Sequence, residues 1–162
     1  MKRKIFLPLA ILIFAMTLTA CGEVPAESEL VKDVSTDIAE ENISMTKLKI
    51  TVGDKIFHAV LENNATAKDF ISKLPATLKM ENLYGREMCY NYGAGGLTAD
   101  KTRNDGYKVG DIIYWKPLGS FVILYKQNGE EYERVHLGHI TDGDLNIFDG
   151  GGDMEIKFEI AE

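Results

Sequence analysis

Three aromatic side chains around one turn are the residues of this sequence best suited to hold a ligand. Trp115, Phe121 and Tyr125 lie in the run GDIIYWKPLGSFVILYK, on either side of the break at 116–119. Aromatic side chains form the walls of grooves that bind extended or proline-containing peptides. The pattern therefore predicts a ligand groove edged by these three residues. The alternative is that they belong to the core and the hairpin end of a small β-protein.

Histidines and aspartates are the usual metal ligands, but their spacing here argues against a metal site. His136 and His139 are three residues apart on a predicted strand, so they should point to opposite faces. No third ligand is evident near them in the sequence. The runs TDGD at 141–144 and DGGGD at 149–153 lack the spacing of a twelve-residue calcium loop. Turns also select Asp and Gly for backbone reasons, so we expect no metal.

A lone cysteine and a glycine-rich run are two further motifs that could carry chemistry. Cys89 lies between Met88 and Tyr90 in a strand-like run, and Arg86 should face the opposite side of that strand. Without a basic neighbour to lower its pKa, Cys89 is interpreted as a small buried hydrophobe. The run YGAGG at 92–96 is followed by neither Lys-Ser/Thr nor a helix, so it is not a phosphate loop. We therefore expect no cofactor.

The first 20 residues are typical of a secretory signal. Three basic residues precede an apolar stretch at 5–20, which is shorter than the roughly 20 residues of a membrane-spanning helix. The run LTAC that ends this stretch resembles the lipobox of bacterial lipoproteins. The resemblance implies that Cys21 is lipidated, becomes the first residue of the mature chain and anchors it to the extracytoplasmic face of the cell membrane. The alternatives are an ordinary signal peptide with a chance cysteine, or an uncleaved anchor.

Residues 21–45 are predicted to form an acidic, flexible tether. They are rich in Glu, Ser, Asp and Ala and contain no aromatic residue, so they cannot bury enough surface to offset the cost of ordering. The net charge of the chain is −7, and loss of the three basic residues of the signal makes it −10. An acidic chain does not follow a phosphate backbone, so we expect no nucleic-acid partner.

Residues 46–162 are predicted to form one mainly β domain. The runs KLKITVG and KIFHAVL alternate around the turn Gly53–Asp54 and indicate a β-hairpin. The run ENNATAKDFISKLP predicts the one helix of the domain, with Asn63 or Asn64 as its N-cap. The remaining segments indicate strands and turns, giving about eight strands, which favours a small closed β-barrel.

The two most apolar strands are expected to supply both core and groove. Ile112, Tyr114, Val122 and Leu124 are predicted to pack the barrel, which leaves Phe121 and its aromatic partners at the groove.

Three stretches, taken in order, resemble the bacterial cyclophilin-like domain family. They are KLKITVGDKIFHAVLENNATAKDFISKLP, YKVGDIIYWKPLGSFVILYK and HLGHITDGDLNIFDGGGDMEIKFEI. The resemblance covers about residues 46–162, and the order and spacing of the stretches carry it. It implies a cyclophilin-type β-barrel.

Cyclophilins proper are prolyl isomerases that use an arginine donor beside an apolar pocket for the proline ring. The resemblance makes Arg86 the candidate catalytic residue and likens Phe121 to the pocket phenylalanine. However, the surroundings of Arg86 do not match the cyclophilin arginine motif, and Trp115 stands in a strand instead of a later loop. We therefore expect a lipid-anchored module that binds a peptide or small molecule without catalysis. The alternative is a weak peptidyl-prolyl isomerase acting on exported proteins.

Overall fold

A computed structural model describes residues 45–99 and 101–162 of the chain, and these residues form a closed β-barrel of eight strands with one α-helix. The predicted fold class is therefore confirmed. The signal segment 1–20, the lipidation site Cys21 and all but the last residue of the tether 21–45 lie outside the described residues, so these three remain predictions.

The strands all pair in antiparallel fashion and close the barrel in the order β1-β2-β7-β5-β6-β4-β3-β8. In chain order the elements are β1 (Thr46–Val52), β2 (Lys55–Leu61), α1 (Ala65–Ile71), β3 (Ala76–Leu83), β4 (Glu87–Asn91), β5 (Asp111–Trp115), β6 (Ser120–Leu124), β7 (Val135–Ile140), a 3-10 helix (Leu145–Phe148) and β8 (Met154–Ile160). Strand β8 pairs with β1, for example Ile50 with Phe158, and this pair completes the ring.

Alternation of apolar and polar residues explains why β1 and β2 lie where they do. Leu48, Ile50 and Val52 of β1 point into the barrel and are at most 5% exposed. Their neighbours Lys47 and Lys49 point to solvent, as the period of two in an extended strand requires. The hairpin predicted for this part of the chain is confirmed.

Short helices fill the two ends of the barrel. The Asn64 side chain caps α1 by accepting a hydrogen bond from the backbone N–H of Ala67 at 2.8 Å, and Phe70 of α1 is fully buried. At the other end of β6, Phe148 of the 3-10 helix packs on Tyr125 with ring centroids 5.7 Å apart. The predicted helix and its asparagine cap are confirmed. Among the helices of the described segments, none is long and apolar enough to cross a lipid bilayer.

Strand β6 is buried on both of its faces, and this decides what the strand can present. Phe121 and Ile123 point into the barrel core, whereas Val122 and Leu124 point outward into a second apolar cluster with Cys89. The prediction that Val122 and Leu124 pack the barrel while Phe121 faces a groove is therefore wrong, because the two faces are exchanged. A strand covered on both sides has no polar residues that could mark its outer face.

Candidate functional site

A cleft of about 640 Å³ lies on the outer face of the sheet formed by β4, β6 and β5. Its floor is made by Cys89, Val122 and Ile113, one residue from each strand. They lie side by side because the register pairs Val122 with Cys89 on one side and with Ile113 on the other. The volume falls within the range of roughly 300–1,000 Å³ usual for small-ligand sites, and an apolar floor is typical of them.

The loop between β6 and β7 builds one wall of this cleft, with Gln127, Glu130 and Tyr132 in its lining. Reciprocal backbone hydrogen bonds of 2.8 and 2.9 Å between Arg103 and Arg134 join this loop to the one between β4 and β5. The Arg134 side chain is completely buried and donates hydrogen bonds to the carbonyl oxygens of Asp105 and Tyr132, the latter at 3.3 Å. Tyr132 thereby becomes a fixed part of the cleft lining.

The apolar end of the cleft lies at the β5–β6 hairpin. Trp115 is half-buried there and pairs with Ser120, and Leu118 stands at the rim with 55% of its surface exposed. The hairpin turn requires glycine at position 119, because φ is +70° and a Cβ atom would lie 1.8 Å from the carbonyl oxygen of Gly93. Trp115 is thus the predicted groove residue that does line the cleft.

The other two predicted groove residues lie elsewhere. Phe121 is 0% exposed and stacks on Phe70 in the barrel core with ring centroids 4.4 Å apart. Tyr125 is 4% exposed, and its hydroxyl donates a hydrogen bond of 2.6 Å to Asn82 Oδ1. Both therefore point to the opposite side of β6 from Trp115, and the structure does not bring the three aromatic residues together.

Arg86 lines the charged end of the same cleft. It lies in the turn between β3 and β4, so strand alternation does not place it away from Cys89, contrary to the expectation from the sequence. Its Nη1 is 2.5 Å from Glu130 Oε2, and its guanidinium lies over the Tyr84 ring at 5.5 Å. Burial lowers the pKa of Arg86, but Glu130 and Glu87 more than offset this, so the pKa is raised. Arg86 is a permanent cation between two carboxylates.

Glu87 is a functional candidate that the sequence analysis missed. Its carboxyl group is at the Arg86 end of the cleft, and the residue is only 8% exposed. Burial raises the pKa of Glu87, although the nearby Arg86 opposes the shift. Burial, together with the negative charge of Glu87, also raises the pKa of Tyr132 to about 12. The sequence could have identified Glu87 as a neighbour of Cys89, because residues two apart on a strand lie on the same face and Glu87 is two residues before Cys89 in β4.

The thiol of Cys89 is on the cleft floor but is not activated. Burial raises its pKa, and a hydrogen bond with Ser120 only partly opposes the effect. Cys89 is buried and free, as expected for a small buried hydrophobe.

A β-bulge in β7 brings two histidines onto one carboxylate. Ile112 of β5 pairs with Gly138 and the next residue pairs with His136, so Leu137 has no partner in β5. His136 Nε2 and His139 Nδ1 consequently lie 3.3 and 3.0 Å from the same oxygen of Asp111. The prediction that these histidines point to opposite faces is wrong, because the bulge at Leu137 inserts one extra residue between them and so brings both side chains to the same face.

The carboxyl group of Asp111 is the centre of this network. Burial raises its pKa, but hydrogen bonds from His136, the backbone N–H of Lys108 and His139 outweigh burial and hold the pKa well below its usual range. His136 also contacts Glu62 through Nδ1 at 2.5 Å. In the part of the chain that the structure describes, no group of three or more His, Cys, Asp or Glu side chains is placed to hold a metal ion.

Comparison with known proteins identifies the family of the barrel. The model of the Cyclophilin-like family matches residues 50–159. The solution structure of the hypothetical protein AF2241 from Archaeoglobus fulgidus is similar with a TM-score of 0.55, at 15% sequence identity, over 75% of this chain and 99% of that one. At this identity the likeness shows the fold alone. No curated protein matches the chain. The family match spans most of the sequence, and the chain therefore belongs to the cyclophilin-like family.

Proposed function

We propose that the protein is a lipid-anchored, extracytoplasmic binding module that holds a small apolar ligand, or an apolar side chain of a peptide, in the cleft on β4, β6 and β5. The observation that supports this proposal is a cleft of about 640 Å³ whose floor consists of the apolar residues Cys89, Val122 and Ile113, each at most 8% exposed. Membership of the family supports the barrel as a binding scaffold, but a fold does not by itself give a function.

The side chains of the cleft suit binding better than conversion of a ligand. The Cys89 thiol has a raised pKa and is a poor nucleophile at neutral pH. The cation of Arg86 is already balanced by Glu130 at 2.5 Å and Glu87 at 3.7 Å. The floor of the cleft is apolar, and at its charged end Arg86 is neutralised by the two glutamates. Such a cleft can hold a ligand without activating it.

Fluorescence of Trp115 tests this proposal, because it is the only tryptophan of the chain and lines the cleft. Residues 46–162 contain the eight strands and the hydrophobic core of the described part of the chain, so this fragment is suitable for titration. The neutral probe 3-phenylpropanol is expected to bind with a dissociation constant of about 1 mM, given its ten heavy atoms. Its addition should shift the Trp115 emission saturably and move backbone amide resonances of β4, β5 and β6.

A pair of matched variants locates the binding site. Leu118→Glu places a charge at the cleft rim and should weaken binding of 3-phenylpropanol about fivefold, the equivalent of about 40 Å² of lost apolar contact. Ile160→Glu changes an equally exposed aliphatic residue, 54% against 55%, outside the cleft and should leave binding unchanged. A non-saturable response, or equal effects of the two variants, would contradict the proposal.

The anchor is proposed from the run LTAC and is tested separately. In cells, Cys21→Ala should abolish incorporation of radiolabelled palmitate and release the protein from the membrane fraction, because the lipidated thiol is lost. Cys89→Ala removes the other cysteine of the chain and should leave both properties intact. Continued labelling of Cys21→Ala would refute the lipidation site.

Prolyl isomerisation is the second candidate function, since Arg86 and Trp115 line the same cleft and Arg86 Nε has no hydrogen-bond acceptor. A donor aimed at a prolyl amide nitrogen weakens its conjugation and lowers the isomerisation barrier of about 18–20 kcal/mol. A protease-coupled assay with a proline-containing tetrapeptide tests this activity. Rate enhancement should disappear in Arg86→Ala and persist in the control Arg103→Ala. No enhancement by the folded wild-type fragment would exclude this candidate.

A further inference from the structure

The charged end of the cleft holds a hydrogen-bond donor beside an acceptor that it does not satisfy. Arg86 Nε is shielded from solvent and has no hydrogen-bond partner. It is 3.7 Å from Glu87 Oε2, which is too long for a hydrogen bond. The Glu87 carboxylate, in a residue only 8% exposed, accepts no hydrogen bond from the other described residues. Such groups are normally paired in proteins, so a ligand whose entry shifts the Glu130 side chain away from Arg86 can supply the missing partners.

We propose that the cleft selects ligands with a neutral amide head group whose C=O and N–H lie on the same side, as in a primary carboxamide or a lactam, joined to an apolar body. The carbonyl oxygen accepts a hydrogen bond from the Arg86 guanidinium, and the amide N–H donates one to Glu87. This selectivity rests on the binding function proposed above and specifies the class of ligand for it.

The balance of charge favours an amide over other polar head groups. Arg86 already faces Glu130 at 2.5 Å and Glu87 at 3.7 Å. A carboxylate head would meet two carboxylates, and an ammonium head would meet the guanidinium at short range. An alcohol carries one donor hydrogen and cannot engage both partners as an amide edge can. The amide adds no net charge to a partly buried site, so its desolvation costs less than that of either charged head group.

The side chain of Glu130 is the movable part of this end of the cleft. It is 58% exposed and belongs to the loop between β6 and β7, so it can shift aside as the head group enters while its negative charge stays near Arg86. By contrast, the side chains of Arg86 and Glu87 are 15% and 11% exposed. The head group therefore meets one fixed donor and one fixed acceptor.

The position of the apolar floor sets the length of the ligand. Cys89 is two residues beyond Glu87 on the same face of β4, a spacing of about 6.6 Å in an extended strand. Val122 and Ile113 extend the floor sideways from Cys89 toward Trp115. A phenyl ring separated from the head group by two methylene groups would rest on this floor.

Four compounds with one body and different head groups test the proposal. They are 3-phenylpropanamide, 3-phenylpropanol, 3-phenylpropanoate and 3-phenylpropylamine, titrated into residues 46–162 with Trp115 emission as the readout. The amide should bind about tenfold more tightly than the alcohol, since it adds a hydrogen bond to each of two charged groups. The two charged compounds should bind more weakly than the amide.

The outcomes separate this inference from the binding function itself. Saturable binding of the alcohol with no gain for the amide would overturn the amide selectivity and leave the binding function standing. Tightest binding of the carboxylate or the amine would overturn it equally. Failure of all four compounds to bind would remove the binding function and the selectivity with it.

Variants of two glutamates identify the acceptor. Glu87→Gln is close in shape but removes the anionic acceptor, so the advantage of the amide over the alcohol, both measured on the same variant, should fall from about tenfold to about twofold. Glu81→Gln is the matched control, because Glu81 is an exposed residue of the neighbouring strand β3 opposite Cys89 and does not line the cleft. An unaltered ratio in a folded Glu87→Gln variant, checked by circular dichroism, would overturn the assignment.

Discussion

Replacement of Phe121 by alanine distinguishes a core residue from a groove residue. The ring is 0% exposed, stacks on Phe70 at 4.4 Å and meets Phe158 edge-on at 5.4 Å. Truncation of a buried phenylalanine costs about 3–5 kcal/mol, and two aromatic contacts place this one near the middle or upper part of that range, about 4 kcal/mol. A domain of about 117 residues has a free energy of unfolding of about 6–17 kcal/mol. Phe121→Ala should therefore lose a large share of its stability.

Urea unfolding of residues 46–162, followed by circular dichroism and by Trp115 emission, measures this loss. Val122→Ala is the comparison: it removes two methyl groups from the opposite face of β6 and should cost about 1.5 kcal/mol. Because Val122 lies on the cleft floor, Val122→Ala should also weaken binding of 3-phenylpropanol, whereas folded Phe121→Ala should not. A loss below about 1 kcal/mol for Phe121→Ala, accompanied by weaker binding, would show that β6 is shifted by one residue and refute the reasoning.

Three further predictions concern the remaining polar and backbone features. Asp111→Asn should cost about 2 kcal/mol at pH 7, because two histidines lose their shared carboxylate. The folded-state pKa of Asp111 is lowered, so this difference in urea unfolding should hold above the unfolded-state value of about 3.9 and shrink as the pH falls below it; a constant difference down to pH 3 would contradict the assignment. Gly138→Ala should cost more than about 2 kcal/mol in thermal unfolding, since a Cβ atom there would lie 2.3 Å from the carbonyl oxygen of Val60. An unchanged melting temperature would argue against this close approach of β7 to β2. Cys89 should react with iodoacetamide at pH 7 far more slowly in the folded than in the unfolded protein, because burial raises its pKa; comparable rates in a mass-spectrometric assay would count against a buried thiol.

The parts of the fold that could be predicted from the sequence are those where one face of a helix or strand is exposed to solvent and the other is buried. In β1 the apolar residues alternate with lysines, so Leu48 and Ile50 could be assigned to the core. The asparagine cap located the start of α1 within one residue. In β6 both faces are covered, and no local pattern distinguishes Phe121 from Val122.

The candidate site was harder to predict, because it is assembled from distant parts of the chain. Cys89 and Ile113 meet only through β6, and Tyr132 reaches them only through the buried Arg134. Arg134 occurs in a charged run of the sequence, where nothing marks it as the largest fully buried side chain among the described residues. Composition alone favours a surface position for such an arginine. The burial depends on loop contacts that a single sequence does not encode locally.

Closure of the barrel restricts how a peptide could be recognised. Every one of the eight strands in the described part of the chain already has a hydrogen-bonded neighbour on each side. An incoming segment therefore finds no strand with a wholly unpaired edge on which to extend the sheet, the route used by many peptide-binding domains. The barrel must instead select its ligand by side-chain shape and head-group chemistry. A non-peptidic compound can satisfy these requirements as well as a polypeptide can.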